Sequence, residues 1–167
     1  MRRPLFSAPY IIFIFILFLC LPPSSSFALE DEVHIEINKK TNQLSIFLND
    51  ISVYTFPVGT GKDKHLTPEG EFIIITRVKE PWYLPKNIAG GNPRNPLGTR
   101  WLGLNIPGTS GYKYGIHGTN NPDSIGHNVS QGCIRMHNED IEWLYRNIPL
   151  GTRVVIKSSL SKNKSAP

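Results

Sequence analysis

Ser130-Gln131-Gly132-Cys133-Ile134-Arg135-Met136 holds one of only two cysteines in the 167-residue chain, and its thiol follows the histidine of His117-Gly118-Thr119-Asn120 by sixteen positions. The other cysteine, Cys20, lies in an apolar run near the N-terminus. Arg2 and Arg3, the apolar residues from Tyr10 to Leu21, and Ser26-Phe27-Ala28 reproduce the charged, apolar and small-residue regions of an export signal, with cleavage expected after Ala28. The apolar run falls short of the about 20 residues that span a bilayer, and an uncleaved leader acting as an anchor is the alternative. Lipidation of Cys20 is disfavoured, because Leu19 stands where a small residue is wanted. The exported chain therefore keeps Cys133 alone, a thiol that is buried and inert, paired with another chain, or kept for chemistry.

Working outward from that stretch, the flanking residues read mainly as strands. Residues 34–38 and 43–48 alternate polar with apolar around a turn at 39–42, and residues 51–58 alternate again after Asn49-Asp50, giving three meandering strands. Thr67-Pro68-Glu69-Gly70 is a turn opening the β-branched run Phe72-Ile73-Ile74-Ile75-Thr76-Arg77-Val78, a core strand. Residues 113–117 form a strand ending at His117, and Thr152 to Lys157 form the last strand. One helix is expected after the cysteine, capped by Asn138 with Glu139 and Asp140 in its first turn and carrying Ile141, Leu144, Tyr145 and Ile148 on its apolar face. From Pro81 to Pro107 the chain is rich in proline, glycine and asparagine, with Trp82, Tyr83 and Trp101 interspersed; it reads as a long loop that either walls an active-site cleft or packs its aromatics beneath itself.

Residues 1–28 are thus read as a signal peptide, 29–157 as one domain and 158–167 as a disordered polar tail. The full chain carries a net charge of +5, and loss of Arg2 and Arg3 leaves 16 basic against 13 acidic residues, a mild +3. That surplus suits an anionic cell wall or a solvated tail, and it does not indicate nucleic acid.

A thiol becomes a useful nucleophile beside a base, and His117 is the candidate. Gly132 permits a tight turn, so that amide N–H groups of Gly132 and Cys133 are placed to face the oxyanion of an acyl-transfer reaction. His34, His65, His127 and His137 read as surface or loop residues. A structural zinc on His117, Cys133 and His137 is the metal alternative, disfavoured because the short spacing of paired ligands is missing.

His117-Gly118-Thr119 followed by Ser130-x-Gly132-Cys133-Ile134-Arg135-Met136, together with Thr67-Pro68-Glu69-Gly70-Glu71-Phe72, resembles the signature of the L,D-transpeptidase catalytic domain family, over residues 33 to 157. The resemblance implies a β-sandwich of mixed sheets with one short helix after the cysteine loop, needing no metal or organic cofactor. It implies that Cys133 attacks the bond before the terminal D-alanine of a peptidoglycan stem peptide, and that an amine of a second stem takes the acyl group to form a 3-3 crosslink. Water as acceptor would make the enzyme an L,D-carboxypeptidase, and a non-catalytic wall-binding or coat protein is the reading outside enzymology. The resemblance further assigns His117 as base and the Gly118 carbonyl as the group that orients its imidazole. Arg135 is placed to hold a donor carboxylate or to brace the loop, Ser130 to bind substrate or hydrogen-bond within the loop, and Trp82 and Tyr114 to contact substrate. Many members carry histidine where this chain has Gln131, so no second imidazole is assigned. A monomer associated with the cell wall or periplasm is expected.

Overall fold

The computed structural model describes residues 32–63 and 65–158. The expected export signal and the expected polar tail beyond Ser158 lie outside the described residues; Ser158 itself donates its hydroxyl to the Glu69 carboxylate.

The fold is mainly β. Its strands are β1 (Val33–Asn38), β2 (Gln43–Leu48), β3 (Ile51–Pro57), β4 (Thr60–Gly61), β5 (Gly70–Lys79), β6 (Arg100–Leu104), β7 (Gly115–His117), β8 (Asn128–Ser130), β9 (Ile134–Arg135) and β10 (Arg153–Lys157), with helix α1 (Asn138–Asn147) between the last two. Eight of them join in the order β3-β2-β1-β10-β5-β6-β7-β9, while β4 and β8 make a separate parallel pair. β5 is the strand at which the large sheet changes partners. Its residues 70–73 pair with β10 and its residues 74–79 with β6, and the register is irregular between Ile74 and Thr76. A strand that turns this corner lets one continuous ladder curl over its own core.

Each half is mixed, since β1 and β10 run parallel, as do β7 and β9, among antiparallel neighbours. The expectation of a mainly β chain with mixed sheets and one helix after the cysteine loop is met.

Alternation along the strands sends Ile35 and Ile37 of β1, Leu44 and Ile46 of β2, and Val154 and Ile156 of β10 into the interior. From the other half come Leu102, Leu104, Ile116 and Ile134. Helix α1 closes this core with Ile141 and Leu144, and it is clamped to the sheet by charge as well. The guanidinium carbons of Arg77 and Arg100 lie 4.4 and 5.5 Å from the centre of the Tyr145 ring, and Arg77 also donates to the Tyr145 carbonyl.

Two sequence expectations change. Part of the segment read as a loop between Pro81 and Pro107 is strand β6, because Trp101 and Leu102 find partners on both sides in β5 and β7. Helix α1 does begin at Asn138, but His137 occupies its cap position and no side chain caps it; the Asn138 side chain is engaged elsewhere. Among the described residues no helix is long and apolar enough to cross a membrane.

Leu102 is fully buried at the centre of the β5-β6-β7 ladder. Leu102→Ala is expected to lower unfolding stability by about 2–5 kcal/mol, read from the urea midpoint at an unchanged m value.

Candidate active site

The ladder places four side chains in one row across the sheet: Val78 opposite Trp101, Trp101 opposite His117, and His117 opposite Arg135. Partners across a ladder share a face, so this row lies opposite the core-facing row in which Leu102, Ile116 and Ile134 are consecutive partners. Continuing the β7–β9 register back by one residue sets Cys133 beside Gly115, on the same face as His117 and two residues before it in the strand direction. The fifteen intervening residues are thereby folded back, and the thiol and imidazole come to one patch of sheet.

Trp101 builds the floor of that patch. Its ring stacks on His117 with centroids 5.5 Å apart at 18°, and its Nε1 donates to the Gly111 carbonyl at 2.8 Å. The indole also covers Gly115 so closely that a Cβ there would fall 2.7 Å from it. A side chain at residue 115 would therefore displace the tryptophan that packs against His117.

His117 is buried, and its Nδ1 is 2.5 Å from the Gly118 carbonyl oxygen. A carbonyl only accepts, so Nδ1 carries the ring proton and Nε2 keeps the lone pair of the neutral ring. Burial pushes the His117 pKa down to about 4; the Gly118 hydrogen bond opposes the fall, the Arg135 charge adds to it, and the Leu97 carbonyl opposes it weakly. Cys133 is half-buried, with Sγ 3.5 Å from the Lys113 carbonyl. Burial raises its thiol pKa, offset in part by the Gly115 amide and by the Arg135 charge. Both shifts favour the uncharged forms, so the resting pair is a thiol and a neutral imidazole.

The cysteine loop is fastened by hydroxyl groups. Ser130 Oγ accepts the Gly132 N–H at 3.0 Å and donates to the Cys133 carbonyl at 2.6 Å. Its single proton is spent inside the loop and the side chain is buried, so the expectation of Ser130 as a substrate contact is corrected to a loop brace. The same bond occupies the Gly132 N–H, which removes that amide from the oxyanion donors expected from the sequence. Thr67 supplies a second brace that the sequence reading did not assign: its Oγ1 donates to the Gly132 carbonyl at 3.0 Å and accepts the Gly61 N–H at 2.9 Å. Because C=O and N–H of one trans peptide point in opposite directions, pinning the Gly132 carbonyl to Thr67 aims the Cys133 N–H away from it. Gly132 takes φ of +126° and leaves no room for a Cβ, which would lie 2.5 Å from the Leu66 carbonyl oxygen.

Cys133 opens onto a cavity of about 500 Å³ whose wall includes Trp82, Tyr83, Leu97, Trp101, Tyr112 and Lys113. The Pro81–Pro107 segment thus contributes a cleft wall, as one of its two sequence readings had it. Tyr114 does not line this cavity: its ring packs against the core, and a Cβ on Gly132 would sit 2.9 Å from it, so Tyr112 replaces it on the wall. The Arg135 Nε is buried without a hydrogen-bond partner, and no loop carbonyl holds it among the described residues. Among the described residues no group of three or more His, Cys, Asp or Glu side chains gathers as a metal site.

The sequence profile of the L,D-transpeptidase catalytic domain matches residues 32–156. This chain belongs to that family. It is 46% identical over 143 residues to YqjB of Bacillus subtilis, covering 86% of this chain and 81% of that protein. It is 44% identical over 123 residues to YkuD of the same organism, covering 74% and 65%. Both relatives carry L,D-transpeptidase in their names. Among solved structures, an L,D-transpeptidase from Mycobacterium tuberculosis superposes with a TM-score of 0.59 at 16% identity, over 75% of this chain and 57% of that one. An Enterococcus faecium L,D-transpeptidase gives 0.58 at 16% identity, over 75% and 50%. At such identities the superpositions speak for the fold alone. Family and relatives together make the L,D-transpeptidase domain described here an enzyme of that type.

Thr67→Val removes an acceptor and a donor from buried backbone groups and is expected to cost about 2–4 kcal/mol, whereas Thr67→Ser, which loses one methyl, costs about 1 kcal/mol. Chemical denaturation of both variants checks the difference. The depressed His117 pKa also sets an acid dependence. The unfolded chain binds a proton near pH 6.5 that the folded chain refuses until about pH 4, so this contribution is neutral above 6.5 and erodes stability by roughly 3 kcal/mol as pH falls to 4. In His117→Gln the slope of stability against pH in that window is expected to flatten.

Proposed function

We propose that this chain joins peptidoglycan stem peptides through a cysteine acyl-enzyme, forming 3-3 crosslinks with release of terminal D-alanine. The observation that carries the reading is the β7–β9 register, which sets Cys133 and His117 on one face of the sheet, with Cys133 opening onto a cavity of about 500 Å³. In this reading His117 Nε2 takes the proton of Cys133 Sγ as sulfur bonds to the donor carbonyl carbon. The proton then passes to the departing amine as the carbon–nitrogen bond breaks, releasing D-alanine and leaving a thioester. An amine of a second stem attacks the thioester, its proton returns through His117 to sulfur, and the crosslinked product leaves.

The Gly118 carbonyl holds Nδ1–H throughout and stabilises the imidazolium formed in between, the task a carboxylate performs in a serine triad. The oxyanion falls to the Cys133 amide, aimed by the Thr67 brace on the Gly132 carbonyl. A neutral resting pair does not oppose this course, since thiolate is needed only as the bond to carbon forms.

Arg135 is the residue that would take the donor carboxylate. Its partnerless Nε and its position opposite His117 favour that role over bracing. Trp82, on the rim with 53% of its surface exposed, would lie along the stem peptide beside Tyr112. Substrate of this kind supports a site of action outside the cytoplasm, in cell wall or periplasm, and the proposal takes the enzyme as a monomer with no nucleic-acid partner. The non-catalytic wall-binding reading is not favoured, because relatives matching most of the chain are named as transpeptidases.

Incubating the enzyme with tetrapeptide muropeptides and analysing products by mass spectrometry tests the proposal. D-Alanine release and a crosslinked dimer are expected from the native protein, with loss of about 10³-fold or more in Cys133→Ala and in His117→Ala at preserved folding. Tripeptide without dimer would replace the transpeptidase by a carboxypeptidase, and undiminished release by Cys133→Ala would remove the acyl-enzyme.

A further inference from the structure

We infer that Asn138 is a positioning residue for the catalytic base, holding the peptide plane whose carbonyl orients His117. The inference rests on the role of His117 proposed above.

Asn138 is the first residue of α1, and its side chain turns away from its own helix. Its Oδ1 accepts the Thr119 N–H at 3.2 Å and the Thr99 N–H at 3.3 Å. The first of these bonds matters most. Thr119 N–H and Gly118 C=O belong to one planar trans peptide and point in opposite directions, so an acceptor on the N–H side fixes where the carbonyl points. On the opposite side that carbonyl meets His117 Nδ1 at 2.5 Å. One peptide unit is therefore held between Asn138 and the imidazole. Rotation of that plane would break both contacts together.

The second bond ties in the segment before β6. Thr99 follows Leu97 and Gly98, and the Leu97 carbonyl is the other backbone group that favours the charged His117 ring. A single side-chain oxygen thus fastens both segments that offer carbonyl groups to the base. Two inward N–H donors also settle the side-chain amide, since the opposite flip would set Nδ2 hydrogens against them.

Packing at this junction admits no slack. A Cβ on Gly98 or on Gly118 would each lie 2.2 Å from Asn138 Oδ1, and one on Gly98 would also lie 2.6 Å from the Gly118 carbonyl carbon and the Thr119 nitrogen. The glycine of His117-Gly118-Thr119 is in this sense required by a helix residue twenty positions further along the chain. Asn138 touches neither substrate nor sulfur, and its effect on the reaction passes through the ring of His117.

The test compares Asn138→Ala and Asn138→Asp with the native enzyme. Tetrapeptide muropeptide serves as donor, and the His117 ring is observed by 15N–1H NMR of histidine-labelled protein. For Asn138→Ala, kcat for D-alanine release is expected to fall about tenfold or more with KM changed by less than about twofold, as for a misplaced catalytic group. The His117 ring is expected to lose its single Nδ1–H tautomer. Asn138→Asp keeps an oxygen facing both amides and is expected to restore the tautomer and most of kcat. Where Asn138→Ala does not fold, Asn138→Gln, which displaces the amide oxygen by one carbon–carbon bond, carries the same expectation. A native tautomer and native kcat in a folded Ala or Gln variant would overturn the inference, as would an Asp variant no better than Ala. Activity that survives His117→Ala would instead strike at the proposed role of the base, so the two failures are told apart.

Discussion

Parallel pairing of β7 with β9 is the contact on which the site depends. Each strand is only two or three residues long, and neither would hold its shape alone. Their backbone bonds form because Ile116 and Ile134 are partners in the ladder and both are buried in the core. Ile116, between Gly115 and His117, and Ile134, between Cys133 and Arg135, thus set the register, and the register sets which side chains share the cleft face. A slip by one residue would send His117 and Arg135 into the core and the isoleucines into the cleft.

Around that contact the backbone is held by side-chain oxygens rather than by long secondary structure. Ser130 and Thr67 fasten the two ends of the Gly132 unit, and Asn138 fastens the unit after Gly118. A peptide plane pinned on one edge presents its other edge in a fixed direction, a simple way to aim a carbonyl at a ring nitrogen or an amide at a developing charge. The Thr67 brace is itself anchored, because buried Lys39 donates to the Thr67 carbonyl at 2.7 Å and pairs with Glu69 at 3.1 Å. The turn Thr67-Pro68-Glu69-Gly70 therefore serves the cysteine loop as much as it opens β5.

Burial works against reactivity here, and polar contacts restore part of what it removes. Stacking under Trp101 takes His117 out of water and keeps it neutral, which makes it a ready acceptor over the physiological range but a reluctant cation. Gly118 and Leu97 carbonyls compensate for the ring's charge at the moment it appears. Arg135 acts in the opposite sense on the two partners, favouring thiolate at Cys133 while opposing the imidazolium at His117. An anionic substrate group on Arg135 would relieve that opposition.

Alternating apolar residues made β1, β2, β3, β5 and β10 readable from the sequence, and the apolar stripe from Ile141 to Ile148 did the same for α1, because both periodicities are local. β4, β8 and β9 were not legible: strands of two or three residues carry no period, and they exist through partners distant in the chain. β6 escaped for a related reason, since Gly103 weakens its pattern and prolines crowd both sides. The candidacy of Cys133 and His117 and a chain made mostly of strands came from the sequence itself, through residue chemistry and local periodicity. Only the tertiary structure decided that Ser130 spends its proton inside the loop, that Tyr112 rather than Tyr114 faces the cavity, and that Thr67 and Asn138 govern the direction of two peptide planes. Hydrogen-bond direction and side-chain facing follow from where the backbone runs in space, and no spacing along the chain encodes them.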